Sequence, residues 1–179
     1  MFHDTFDRVL WLLLAIFLGV LVFLVLRGAP AGSAASPAVS RGVEREIAAQ
    51  ARVAFLQKVY EPVEELRRSG NQAGALLKLD ELAHRYPGEA HGHILQGEIL
   101  RVMGSAGEAA ANFVAGVKLN GEYIDRTSPL SRRGEIEAFV AENLPAFAER
   151  ARSNPGDRSI QAALQNVHYL QSRLAGGCE

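Results

Sequence analysis

The distribution of apolar residues divides the chain into two unlike parts. Residues 9–26 form one apolar run without a charged residue, bounded by Arg8 and Arg27. From Arg41 onward, apolar residues instead recur at spacings of three and four, which is typical of helices that bury one face. The chain is therefore predicted to be all-α, with one apolar helix followed by a helical domain.

The apolar run has the length of a membrane span. At about 1.5 Å rise per residue it can just cross a hydrocarbon core of roughly 30 Å. Trp11 and the two flanking arginines suit the membrane interfaces, so we predict a tail over residues 1–8 and a transmembrane helix over residues 9–27. A cleavable signal peptide is the alternative. The apolar region of a signal peptide is usually shorter, and the segment before it is usually more basic. The small residues after Arg27 could still form a peptidase cleavage site.

Glycine and proline divide the rest of the chain into short segments. Residues 28–40 are small and uncharged, with two prolines, and are predicted to form a flexible linker. Residues 41–175 are predicted to form the helical domain, followed by a tail over residues 176–179. The predicted helices cover residues 41–68, with a kink or break at Pro62, then 72–85, 90–103, 106–119, 131–152, with a kink at Pro145, and 159–174. Residues 120–130 are predicted to form a loop.

Four pairs of similar residues are separated by 34 positions: Gly70 and Gly104, Ala75 and Ala109, Leu66 and Leu100, and Leu79 and Phe113. This period, with a small residue at the helix crossing and a glycine at the turn, is typical of a helix-turn-helix repeat. The pattern resembles the tetratricopeptide repeat, with units over about residues 56–89 and 90–123. The resemblance implies a short α-solenoid of antiparallel helix hairpins. Residues 131–152 and 159–174 then form non-repeat helices, the second of them a cap.

In tetratricopeptide proteins the first helices of the units line a binding groove, and the resemblance implies one here. The period aligns the candidate groove residues in two sets. They are Gln57, Tyr60, Glu64, Arg67 and Arg68 in the first unit and His91, Ile94, Glu98, Arg101 and Val102 in the second. Both units thus offer a carboxylate and a guanidinium, which could hold a peptide or a partner helix in a mixed-charge groove. The alternative is ordinary surface ion pairing between residues three or four apart.

Composition limits the chemistry that the chain could perform. The net charge is −1, so no basic field favours nucleic acid. Cys178 is the single cysteine, which excludes an internal disulfide. Its thiol could link chains or remain free in the tail. No nucleophile or phosphate-binding motif occurs, so we predict no catalytic residue, no cofactor and no small-molecule substrate.

Four residues invite interpretation as a metal site: His84, Glu89, His91 and His93. Residues two apart on a helix diverge by about 200°, so His91 and His93 do not easily share a metal ion. We interpret the four as polar residues of a turn and a helix cap, and no metal site is predicted.

Together these features predict a membrane-anchored scaffold or adaptor that binds proteins during assembly or stabilisation of a membrane or cell-envelope complex. The alternative is an integral structural subunit whose transmembrane helix is itself an interface, since Ala15 and Gly19 form a small-xxx-small pair. Resemblance to anchored bacterial tetratricopeptide proteins implies a single-pass inner-membrane protein with a periplasmic domain. Arg41 and Arg45 favour the cytoplasmic side, so both orientations stay open. A partner or a second copy could also bind to a residual apolar patch on the last two helices.

Overall fold

A computed structural model describes residues 14, 16–20, 23 and 37–176. The all-α prediction is confirmed for these residues, which contain helices and no strand. The elements are α1 (Pro37–Arg68), α2 (Gln72–Arg85), α3 (Ala90–Val102), α4 (Ala106–Leu119), a 3-10 helix (Gly121–Ile124), α5 (Arg133–Ser153) and α6 (Arg158–Leu174).

Two units divide the chain, Met1–Ala48 and Ala49–Glu179. The described part of the first unit is helical, including residues 14, 16–20 and 23. Among the described residues, no helix combines the length and the apolar character needed to cross a membrane. Most of the predicted transmembrane helix and linker, the predicted tail over residues 1–8 and Cys178 lie outside the described residues.

Helix α1 is longer and more continuous than the sequence predicts. It begins at Pro37, inside the predicted linker. Proline is compatible with this position, since a backbone N–H in the first turn has no helical partner. The helix also continues through Pro62, where a break was a predicted outcome. Proline removes one helical hydrogen bond, but the buried side chains of Tyr60 and Val63 hold the helix against the core on both sides of it. Helix α5 likewise contains Pro145 without a break.

Equivalent turns end α1 and α3, and they carry the 34-residue period into the backbone. Gly70 and Gly104 have φ angles of 80° and 81°, a left-handed conformation that glycine adopts without steric cost. In the first turn the N–H of Gly70 donates to Arg67 at 3.0 Å and that of Asn71 to Leu66 at 2.9 Å. The corresponding bonds of the second turn, from Gly104 to Arg101 and from Ser105 to Leu100, are also 3.0 and 2.9 Å. Both turns are therefore Schellman caps with matching geometry.

Small residues let α3 and α4 pack closely at the centre of the domain. A Cβ on Gly97 would lie 2.8 Å from the Phe113 ring, and one on Gly116 would lie 2.6 Å from Ile94. Helix α2 packs against α3, and α6 packs against both α4 and α5. All the buried apolar residues of this core belong to the second unit.

The segment between α4 and α5 is a loop over residues 125–130, as the sequence predicts, but its first part forms a short helix. Gly121–Ile124 forms a 3-10 helix, and Asn120 caps it by accepting a hydrogen bond from the Glu122 N–H at 2.9 Å. Tyr123 and Ile124 are buried, and the element packs against α4 and α5. One turn is too short to show helical periodicity, so the apolar pair was the only sequence signal of its burial.

Candidate protein-binding surface

The residues of the predicted groove differ widely in exposure. Tyr60, His91, Ile94 and Glu98 are buried, whereas Glu64, Arg67 and Arg101 are half-buried and Gln57, Arg68 and Val102 are exposed. The two sets do lie on helices α1 and α3, as the period requires. The inner part of the predicted groove is nevertheless filled by the protein itself.

A buried carboxylate joins the two predicted sets. Glu98 of α3 lies between two guanidinium groups: Arg67 Nη1 is 2.9 Å from its Oε2, and Arg132 Nε is 3.3 Å from its Oε1. Arg67 also donates to Glu64 at 3.0 Å. The repeated Glu and Arg positions thus form ion pairs that cross from α1 to α3 and on to the residue preceding α5.

Burial dominates the electrostatics of Glu98. Its side chain is 8% exposed, and its Oε1 accepts no hydrogen bond because the Arg132 N–H is poorly aligned with it. Burial first, and then the neighbouring Glu135 carboxylate, raise the pKa of Glu98 to about 7, against the opposing charges of Arg67 and Arg132. A proton on Glu98 lets one carboxyl group donate to the other, which relieves both the repulsion and the missing hydrogen bond.

An aromatic and imidazole cluster lies near the start of the same helix, α3. The Tyr60 ring meets the His91 ring edge to face at 4.8 Å between centroids, and the Tyr123 hydroxyl is 3.0 Å from His91 Nδ1. Burial and then the positive charges of nearby arginines, first among them Arg132, lower the pKa of His91 to about 4. Burial raises the pKa of Tyr60 to about 12 and also raises that of Tyr123. His91 is thus a neutral core residue, held by the 3-10 helix that the sequence did not predict.

The outer part of the predicted groove contacts α5. Arg101 Nη2 is 3.1 Å from the Glu142 carboxylate. Val102 remains 69% exposed, and Gln57 and Arg68 are exposed on α1. The exposed residues of the predicted groove are therefore few and of mixed character.

The four residues considered as a metal site are separated by their contacts. Glu89 caps α3 by accepting from the His91 N–H, and it pairs with Arg52 at 3.1 Å. His84 Nδ1 lies 2.8 Å from the Asp80 carbonyl, and His93 Nδ1 lies 3.3 Å from the Asn112 side-chain oxygen. Within the described residues, no group of three histidine, cysteine or acidic side chains is arranged to hold a metal ion.

Sequence reasoning missed the residues that cover α3. Tyr123, Arg132, Glu135 and Glu142 come from the 3-10 helix, from the residue preceding α5 and from α5 itself. Tyr123 is the last residue of the second predicted unit, and the other three lie after both units. The adjacent Tyr123 and Ile124 in an otherwise polar stretch were the one available signal that this segment returns to the core.

The surface must be interpreted from its own geometry. No family model, no curated protein and no solved structure matches this chain.

Proposed function

We propose that the protein is a membrane-anchored adaptor of tetratricopeptide type, which binds other proteins and helps to assemble or stabilise a complex at the cell envelope. The observation that supports this proposal is the pair of matching Schellman turns 34 residues apart, the second of which joins two helices, α3 and α4, that pack side by side. Repeated hairpins of this kind form extended surfaces for binding proteins.

The buried polar cluster has a supporting role in this proposal. Glu98 of α3 forms ion pairs with Arg67 of α1 and with Arg132, which precedes α5, so the cluster links three parts of the chain. A rigid surface loses less conformational entropy when a partner binds. The cluster therefore fits a scaffold whose binding surface is preformed.

The apolar run over residues 9–26 provides the proposed anchor. A tethered domain has a high effective concentration near membrane partners, which strengthens binding without any new contact. We propose a single-pass protein of a bacterial-type inner membrane, with the domain on the periplasmic side.

Gentle solubilisation of membranes, with an affinity tag at the C-terminus, tests the proposal. We expect a specific membrane or envelope protein to co-purify in a constant ratio and to be identified by mass spectrometry. Exchange of residues 9–26 for an unrelated apolar span should leave that complex intact if the segment is a tether. Loss of the complex would instead indicate the integral subunit. Recovery of the protein alone as a monomer would contradict both.

A further inference from the structure

An open groove of about 440 Å³ lies between α1 and α2. Its apolar lining includes Phe55, Val59 and Pro62 of α1 and Leu82 of α2. The Phe55 ring contacts the Tyr86 ring edge to face, with centroids 5.8 Å apart, and yet 47% of Phe55 is exposed. The first hairpin thus presents a partly apolar surface that no described residue covers.

The 34-residue repeat shows what covers the same face elsewhere. Each α1 residue that lines the groove has a counterpart 34 positions later, at or within α3. The pairs are Phe55 and Glu89, Lys58 and Gly92, Val59 and His93, and Pro62 and Gln96. All four counterparts line a narrow cavity of about 40 Å³ whose other wall includes Leu79 and Ala83 of α2. Helix α2 therefore covers on α3 the face that α1 leaves open.

The open face is also more apolar than its covered counterpart. Phe55 and Val59 of α1 correspond to Glu89 and His93 of α3. Exposed apolar patches on folded proteins often mark sites where a partner binds. By the register of the repeat, the element that fits this face is a helix.

Charge indicates what kind of helix fits. Lys58, Lys78 and Arg85 line the groove, and none of its eight lining residues is acidic. Glu81, outside the lining, pairs with Lys78 at 2.6 Å and with Arg85 at 3.4 Å. Glu81 thus pairs with two of the three cations, and the lining itself contains three positive charges and no negative one.

We propose that the groove between α1 and α2 binds an amphipathic α-helix of a partner protein. This helix has an apolar stripe flanked by acidic residues, and it packs on α1 as α2 packs on α3. The proposal rests on the adaptor function and gives it a surface and a partner chemistry. Apolar anchors on one helix face would enter the groove, while acidic flanks would meet the cationic rim.

Two synthetic helical peptides of about 18 residues test the proposal. Both peptides carry a stripe of leucines on one helix face. Glutamates flank this stripe in the first peptide, and lysines flank it in the second. Binding to the full chain in phosphatidylcholine nanodiscs is measured by fluorescence anisotropy, with empty nanodiscs as background. The groove variant combines Lys58→Glu with Arg85→Glu, since both side chains are exposed and their replacement should leave the fold intact. The control variant, Arg126→Glu with Arg158→Glu, changes the net charge equally at exposed sites outside the groove. Circular dichroism verifies that both variants are folded.

We expect the glutamate peptide to bind the unaltered chain and to bind the groove variant about tenfold more weakly, with the control variant within about twofold. The lysine peptide should show the opposite preference between the unaltered chain and the groove variant. Equal binding of both peptides, or equal losses in both variants, would overturn the proposal. So would self-association of the chain that depends on Lys58 and Arg85 without peptide binding, because the occupant would then be a second copy.

The same variants separate this proposal from the adaptor function. If a tagged groove variant still co-purifies the natural partner at the full ratio, the docking surface is wrong and the adaptor function stands. If the unaltered chain recovers no partner, the adaptor function itself fails.

Discussion

Replacement of Glu98 by glutamine should make the protein more stable at alkaline pH. The pKa of Glu98 is raised from 4.5 to about 7 in the folded protein, chiefly by burial. Between these values the native state binds a proton that the unfolded state does not, so stability falls as the pH rises. At about 1.4 kcal/mol per pH unit, the difference corresponds to about 3 kcal/mol above pH 7. Glutamine has the same shape and no charge, so it should avoid this loss.

His91 acts in the opposite sense. Its pKa is lowered from 6.5 to about 4, so below pH 6.5 the unfolded state binds a proton that the native state does not. Its contribution is therefore lost as the pH falls from 6.5 to 4. Between about pH 4.5 and 6.5 the two contributions cancel. We expect the Glu98→Gln variant to gain stability as the pH rises through this interval and a His91→Gln variant to lose it.

Urea unfolding of the full chain, followed by far-UV circular dichroism across this pH range, measures these differences. Glu142→Gln is the matched control, because it removes an exposed carboxylate paired with Arg101 and should change stability by less than about 0.5 kcal/mol. The reasoning is refuted if Glu98→Gln is less stable than the unaltered chain by the same amount at every pH. That result would mean that Arg67 and Arg132 keep Glu98 ionised.

Two further predictions concern the glycines of the helix packing and the turns. Gly97→Ala should destabilise the domain by about 1–3 kcal/mol in urea unfolding, because its Cβ would lie 2.8 Å from the Phe113 ring. Gly134→Ala, a helical position with open space around the added methyl, should instead stabilise it by about 0.5–1 kcal/mol, and similar losses at both sites would contradict the packing argument. Gly70→Ala and Gly104→Ala should each cost about 1 kcal/mol, because both positions have positive φ, and clearly unequal thermal shifts would show that the two turns are not equivalent.

The 34-residue period of turns and small residues was readable from the sequence because it depends on local residues. Ala75 and Ala109, matched at the predicted helix crossing, are both completely buried, and both turn glycines adopt positive φ. These features are set by the spacing of small residues and by backbone sterics, so one chain suffices to find them.

The contacts that bury one face of α3 could not be predicted in this way. The period placed His91 and Glu98 on one face of a helix, but it could not show that Tyr123 and Arg132 occupy that face. Tertiary contacts from a single 3-10 turn have no periodic signal. The residues of the predicted groove therefore lie on α1 and α3, but the burial of Tyr60, His91, Ile94 and Glu98 was missed.

The matching hairpins also affect the order in which the chain folds. Helices α3 and α4 are joined by a short turn and pack against each other. Because they are adjacent in sequence, they can pair with little loss of loop entropy. The cluster around His91 includes Tyr60, Tyr123 and the nearby Arg132, which are far apart along the chain. We therefore expect the hairpins to form early and the cluster to close last. During synthesis, α1 and α2 emerge before the helices that follow them in the chain. The groove between α1 and α2 would therefore be open to an acidic partner helix before the rest of the domain has folded.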